Sequence, residues 1–156
     1  MRNEEWLATV FHRMWETRFS DVTKKNNVVV RWRGKWKNKF GHIRRLKNKD
    51  TEIVINALFK DERVPEYIIE LTLAHELVHY MHGFHSPYPK LFKHPHKGGI
   101  VNSELKLRGY EDALRKEKEW FKSEWLTIYA EHSPDKINMR QGRVVVHHLR
   151  NGFGLF

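Results

Sequence analysis

The sequence contains no cysteine, which excludes disulfide scaffolds, cysteine-built zinc ribbons and thiol nucleophiles. Any transition metal must be held by the 11 histidines and the carboxylates. Long apolar runs are also missing. Val28–Val30 and Ile53–Ile55 are typical of what is present, against the roughly 20 apolar residues that a membrane-spanning helix needs. The opening Met1-Arg2-Asn3-Glu4-Glu5 has no apolar signal region, so a cytoplasmic protein that does not engage a membrane is expected. A third absence is local: residues 24–49 hold no aspartate or glutamate. They hold Lys24, Lys25, Arg31, Arg33, Lys35, Lys37, Lys39, Arg44, Arg45, Lys47 and Lys49, while the rest of the chain has 18 basic residues against 19 acidic ones. The net charge of +10 is therefore one patch on a balanced chain, and an anionic partner would meet it there.

What is there fits one compact domain over residues 1–156, with 40% hydrophobic residues to fill a core. Apolar residues at Trp6, Leu7, Val10, Phe11, Met14 and Trp15 recur at helical spacing and predict an amphipathic helix from Asn3 to Phe19, with Asn3 as cap. Val28 to Trp32 reads as a strand, followed by a turn or loop bracketed by Gly34 and Gly41, a hairpin-like element. Thr51 to Asn56 reads as a further strand feeding a helix that starts at Pro65. That helix, to about His82, carries apolar residues around most of its circumference and should be largely buried. Gly83 ends it, and Pro87, Pro89 and Pro95 keep the chain irregular until Gly98-Gly99. A helical pattern then runs to about Ala130 with a break at Gly109, and Val144 to Leu149 reads as a late strand. The expected class is α+β: an N-terminal helix, a small β-sheet, a buried central helix and a long C-terminal helix.

The buried helix contains His75-Glu76-Leu77-Val78-His79, an HExxH pattern. Residues four apart share one helical face, so both imidazoles reach one metal ion while the glutamate stands beside its open position. Random placement of 11 His and 14 Glu over 156 positions yields the pattern roughly 0.07 times per chain. Two histidines and a glutamate in a buried apolar helix are costly unless paired or bound to metal.

From Val28 to Leu91 the chain resembles the SprT-like and YgjP-like zinc metallopeptidases, the group that includes the Spartan proteases acting on DNA-protein crosslinks. The resemblance rests on the basic Trp-bearing segment Arg31-Trp32-Arg33 and Lys35-Trp36-Lys37, the strand Ile53-Val54-Ile55-Asn56, and the helix from Tyr67 to His79. It implies a zincin-like domain with its core at residues 28–97 and a C-terminal helix and tail at 98–156. It also implies one Zn²⁺ per chain, held by His75 and His79, with Glu76 as general base. The lack of cysteine excludes the usual C-terminal zinc module of Spartan-like relatives.

A catalytic zinc takes a third protein ligand, and His82, His85, His94, His96 and Glu104 lie downstream. His96 is preferred, because the third histidine in SprT-like relatives sits just before the next helix and is followed by glycine, as loosely in His96-Lys97-Gly98. His85 is the alternative, in a His85-Ser86 pair that resembles the YgjP-like pattern. His94 remains open, as does Glu104, which would give a two-histidine, one-glutamate site. His82 reads as a residue behind the ligands or at the surface, and His12, His42, His132, His147 and His148 read as surface or packing residues.

Lys and Arg alternating along strands often mark only a solvated face. Here Trp32, Trp36 and Phe40 interleave with the cations, and bases stack on aromatics while Lys and Arg engage phosphates. Arg31, Arg33, Lys35, Lys37, Arg44 and Arg45 are therefore candidate DNA contacts. The expected function is a zinc-dependent peptidase acting on protein or peptide substrates, with an oxyanion donor among Tyr88, His94, Arg108 and Tyr110. The competing readings are a nucleic-acid-binding module with a structural metal and a hydrolase of non-peptide bonds. Glu76 weighs against the first of these, since a structural site needs no base.

Overall fold

A computed structural model describes residues 1–134. The strand expected at Val144–Leu149, and His147 and His148, lie outside the described residues.

Helix α1 (Glu4–Arg18) starts as expected: the Asn3 side chain accepts from the Trp6 N–H at 2.8 Å, and Glu4 and Glu5 complement the positive end of the helix. Its stripe Leu7, Val10, Phe11 and Met14 is buried. Strands β1 (Val28–Arg33), β2 (Gly41–Arg45) and β3 (Thr51–Asn56) form one sheet in the order β1-β3-β2. β1 runs parallel to β3 and β2 antiparallel to it.

This corrects the expected hairpin. The segment after β1 does not fold back onto it; β2 pairs with β3, and β3 lies between the two. The true hairpin turn, residues 46–50, contains neither glycine nor proline. Its left-handed position is filled by Lys49 (φ 72°), whose N–H donates to the Leu46 carbonyl at 3.0 Å. The glycine that closes the expected loop, Gly41, is the first residue of β2. That glycine is required: a Cβ on Gly41 would stand 2.6 Å from the Val54 carbonyl oxygen and 3.0 Å from Thr72 Cγ2, so only glycine lets β2 approach β3 and the central helix this closely.

β3 is buried at all six positions. One face, with Ile53 and Ile55, belongs to the hydrophobic core. On the other face, Asn56 ties down the 34–40 segment: its Nδ2 donates to the carbonyls of Trp36 (2.7 Å) and Lys39 (2.9 Å), and its Oδ1 accepts from the Leu58 N–H.

Helix α2 (Glu66–Met81) follows, with Pro65 at the cap position just outside the first turn, and it is buried on nearly every side. Gly83 (φ 84°) closes it, with a carbonyl of Pro89 packed where a Cβ would be. An irregular stretch leads to α3 (Ile100–Leu107), and the expected break at Gly109 separates it from α4 (Glu111–Trp120). A π-helical turn (Phe121–Trp125) joins α4 to α5 (Leu126–His132). Phe121 and Trp125 pack on Phe40 and Trp125 on Phe59, and the Trp125 indole donates to the Lys37 carbonyl at 2.8 Å. The C-terminal helices thereby brace the segment that leads into β2. No helix among the described residues is long and apolar enough to cross a membrane.

Candidate metal centre

His75 and His79 lie one turn apart on α2, both buried. The chain leaves α2 through Gly83, loops outward and returns His96 over them just before α3. The three Nε2 atoms converge: His75 to His79 is 3.1 Å, His79 to His96 3.0 Å and His75 to His96 3.3 Å. Among the described residues this is the one group of three or more histidine or carboxylate side chains close enough to hold a metal ion.

The donor set fits a metal. Three nitrogens placed tetrahedrally about 2.1 Å from a common ion would lie about 3.4 Å apart, close to the spacing observed. Burial lowers the pKa of all three imidazoles, taking His75 well below its ordinary value and His79 to about 3, so they are neutral near pH 7 and offer lone pairs, as ligation requires. The Nδ1 of His79 is buried without an acceptor. Its ring is held by packing, edge-on to Phe84 with centroids 6.0 Å apart, and not by a carboxylate behind it.

Glu76 is 1% exposed, and its Oε1 has no hydrogen-bond partner. Burial pushes its carboxyl up to about 8, opposed by the charge of Lys39. A divalent cation at the histidines would add to that opposition and favour the carboxylate. Glu76, His79 and His96 border an open cleft of about 140 Å³, whose other walls are His42 and Ile43 from β2 and Phe84, His85 and Pro95 from the loop after α2.

The other expected site residues stand apart from the cluster. His85 lines the cleft but is not one of the converging histidines. Its backbone is left-handed (φ 57°), and its carbonyl is clamped by the Thr51 hydroxyl at 2.7 Å. Glu104 pairs with Arg108 at 2.9 Å, and Arg108 forks onto Asp21 and stacks on Phe19. Tyr88 donates to the Thr23 carbonyl, and Tyr110 is buried, its ring beneath the Arg18 guanidinium. Those three therefore do not face the cleft as oxyanion donors, and His94 is exposed and does not line it. His82 is buried, against Phe92, and is not a surface residue. His132 contacts Asp61 at 2.8 Å.

Of the candidate DNA contacts, Arg31, Arg33, Lys35, Arg44 and Arg45 are exposed and Lys37 is half-buried. Trp32 is not available for stacking on a base: it is buried against Trp6, and its indole donates to the Asn3 carbonyl. Trp36 is half-buried under Lys39.

The sequence placed Lys39 only in the basic segment and His42 only among surface or packing residues; their nearness to Glu76 and the cleft comes from the pairing of β2 with β3, which local pattern does not show. Compared with protein-family models, curated proteins and solved structures, the chain matches none.

Proposed function

We propose that the protein is a zinc-dependent peptidase of the SprT-like and YgjP-like, zincin type. The observation that carries this reading is the convergence of three neutral imidazole nitrogens beside a buried, unpartnered glutamate at the wall of an open cleft. His75, His79 and His96 would hold the ion. Zinc in such a site supplies a Lewis acid that makes water nucleophilic near neutral pH and polarises a carbonyl. Glu76 takes the proton from the attacking water and returns it to the departing amine nitrogen. Its buried position, with one oxygen lacking any partner, keeps it available for that transfer. The cleft lies against β2, an edge strand of the sheet, whose free side would suit an extended peptide.

The test combines metal analysis with proteolysis. Protein purified without chelator or added metal should carry near-stoichiometric zinc, and a His75→Ala/His79→Ala variant should lose it. β-Casein should be cleaved by the wild type, and Glu76→Gln should keep the metal while losing at least about 10²-fold in rate. Equal zinc in the wild type and the double variant would overturn the site, and undiminished cleavage by Glu76→Gln would overturn the mechanism.

A DNA-associated substrate is the second part of the reading. The register places Arg31 of β1, Val54 of β3 and His42 of β2 in one row, and Arg44 beside Glu52 in the next, so the basic face of the sheet leads directly to the cleft wall. The alternative, a nucleic-acid-binding module with a structural metal, is separated by the same casein assay.

A further inference from the structure

His42, which the sequence alone marks as a surface or packing residue, lines the same cleft as Glu76, His79 and His96. Its Nδ1 is buried and has no hydrogen-bond partner, while the ring as a whole is only half-buried and lines the cleft. The ring packs at a tilt against Trp36, with centroids 5.7 Å apart, and with Nδ1 shut in, Nε2 is the ring nitrogen left to face the cleft. A neutral imidazole carries one N–H, and an N–H buried without an acceptor is among the rarer defects of folded proteins. The tautomer that avoids it leaves Nδ1 bare and puts the proton on Nε2.

We propose that His42 is a catalytic residue: a neutral hydrogen-bond donor whose Nε2–H is aimed into the cleft at the carbonyl oxygen of the bond being cleaved. The inference rests on the peptidase reading above and supplies the donor that Tyr88, Arg108 and Tyr110 do not. As the water oxygen bonds to the carbonyl carbon, its proton passes to Glu76 and the C=O π pair moves onto oxygen. The Nε2–H strengthens its hydrogen bond as that charge develops. The C=O bond then re-forms, the C–N bond breaks, and nitrogen takes the proton from Glu76, leaving a carboxylic acid and an amine. His42 itself neither gains nor loses a proton.

Its surroundings favour that role. Burial and the flanking cations Lys39 and Arg44 push its pKa down to about 4, outweighing Glu52, with His85 adding in the same direction. The ring is therefore neutral at pH 7. The backbone is fixed by pairing with Val54 on the central strand, so the donor is pre-placed by the sheet and not by a loop.

Two measurements test it. In ¹⁵N-histidine-labelled protein, the ring resonances of His42, assigned by their loss in His42→Ala, should show a bare Nδ1 and a protonated Nε2; the opposite tautomer overturns the proposal whether or not the protein is a peptidase. On β-casein, His42→Ala should lower kcat by about 10²-fold or more with little change in KM. Its zinc content and far-UV circular dichroism should be unchanged. His42→Gln, whose amide can still donate, should recover part of the loss. A His42→Ala variant that cleaves within threefold of wild type, or a His42→Gln variant no better than Ala, overturns the donor role while Glu76→Gln remains inactive and the peptidase reading stands. If neither wild type nor Glu76→Gln cleaves, the peptidase reading has failed, and the catalytic role of His42 with it.

Discussion

Glu76 and Glu117 are both buried carboxyls on helices, and the difference between them separates a site from a fault in packing. Glu76 sits beside three imidazoles and an open cleft. Glu117 is buried on α4 with Oε2 lacking a partner, and burial holds its pKa well above the ordinary carboxylate range. Because the folded-state value is raised, Glu117 costs nothing below the unfolded value of about 4.3 and costs progressively more as pH rises towards its folded value. Glu117→Gln should therefore stabilise the protein at pH 7 by about 1–2 kcal/mol in urea unfolding, with the advantage vanishing near pH 4. A destabilised variant at pH 7 would show that the carboxylate has a role. Among the cleft histidines the geometry sets a second order: His96→Ala should weaken zinc binding sharply and His85→Ala only slightly, measured by competition with a chromophoric chelator. The reverse order would mean that the loop rearranges around the ion to bring His85 in.

At the scale of elements, the helices and the strands β1 and β3 were legible in the sequence, while β2 and the pairing order were not. α1 and α2 announce themselves through 3.6-residue periodicity, a side-chain cap at Asn3 and a proline at the mouth of α2. β2 has five residues and a glycine forced by close approach, and its turn uses Lys49 where a glycine would have been read. Pairing order is a long-range property, and the pattern within β1 carried no information that β3 would insert between it and β2. Gly41→Val tests that account: the new side chain collides with the Val54 carbonyl, so a loss of about 1–3 kcal/mol or more is expected in urea unfolding. A neutral result would show that β2 can shift. A different staple ties α5 to the segment before α2. Asp61 accepts from Arg63 at 2.8 and 3.0 Å and contacts His132 at 2.8 Å, and these partners hold its carboxyl well below the usual range, Arg63 foremost. A depressed acid contributes stability that is present above the unfolded pKa of about 3.9 and is lost as pH falls below it. Asp61→Asn should accordingly lower stability at pH 7 and flatten the acid limb of a thermal-unfolding profile. An unchanged acid limb would place the acid sensitivity elsewhere.

At the scale of the whole molecule, the asymmetry of charge has a direction. His75, Glu76 and His79 were legible as a group because they lie within about one helical turn, whereas His96 is 17 residues beyond His79 and its place depends on how a proline-rich loop returns. The basic segment was legible as charge, but its geometry was not: Trp32, which in the sequence stands among the cations, faces the core. Arg44 is committed to the buried Glu52, with Arg33 nearby at 3.6 Å. The cations left for an anionic partner include Arg31, in the row that leads through Val54 to His42 and the cleft, and the exposed Lys35 just after β1. DNA held there by phosphate contacts alone would place an attached protein near the metal centre. Affinity should fall steeply with salt, because each neutralised phosphate releases counterions, and it should be similar for all sequences, because phosphate contacts position without specifying. With Trp32 in the core and Trp36 half-buried beneath Lys39, base stacking adds little, so single strands should gain no large preference over duplex. Arg31→Glu/Lys35→Glu should weaken binding and reduce the salt slope, whereas Arg44→Glu would also set two carboxylates together at Glu52 and destabilise the sheet. Fluorescence anisotropy with single- and double-stranded oligonucleotides at two salt concentrations reads all of this, and cleavage of β-casein free and tethered to DNA reads its consequence. Tethering should accelerate cleavage by the wild type and not by Arg31→Glu/Lys35→Glu. If binding is undetectable even at low salt, or tethering gives no advantage, the basic face serves solubility alone and the substrate is reached through the cleft without help from DNA.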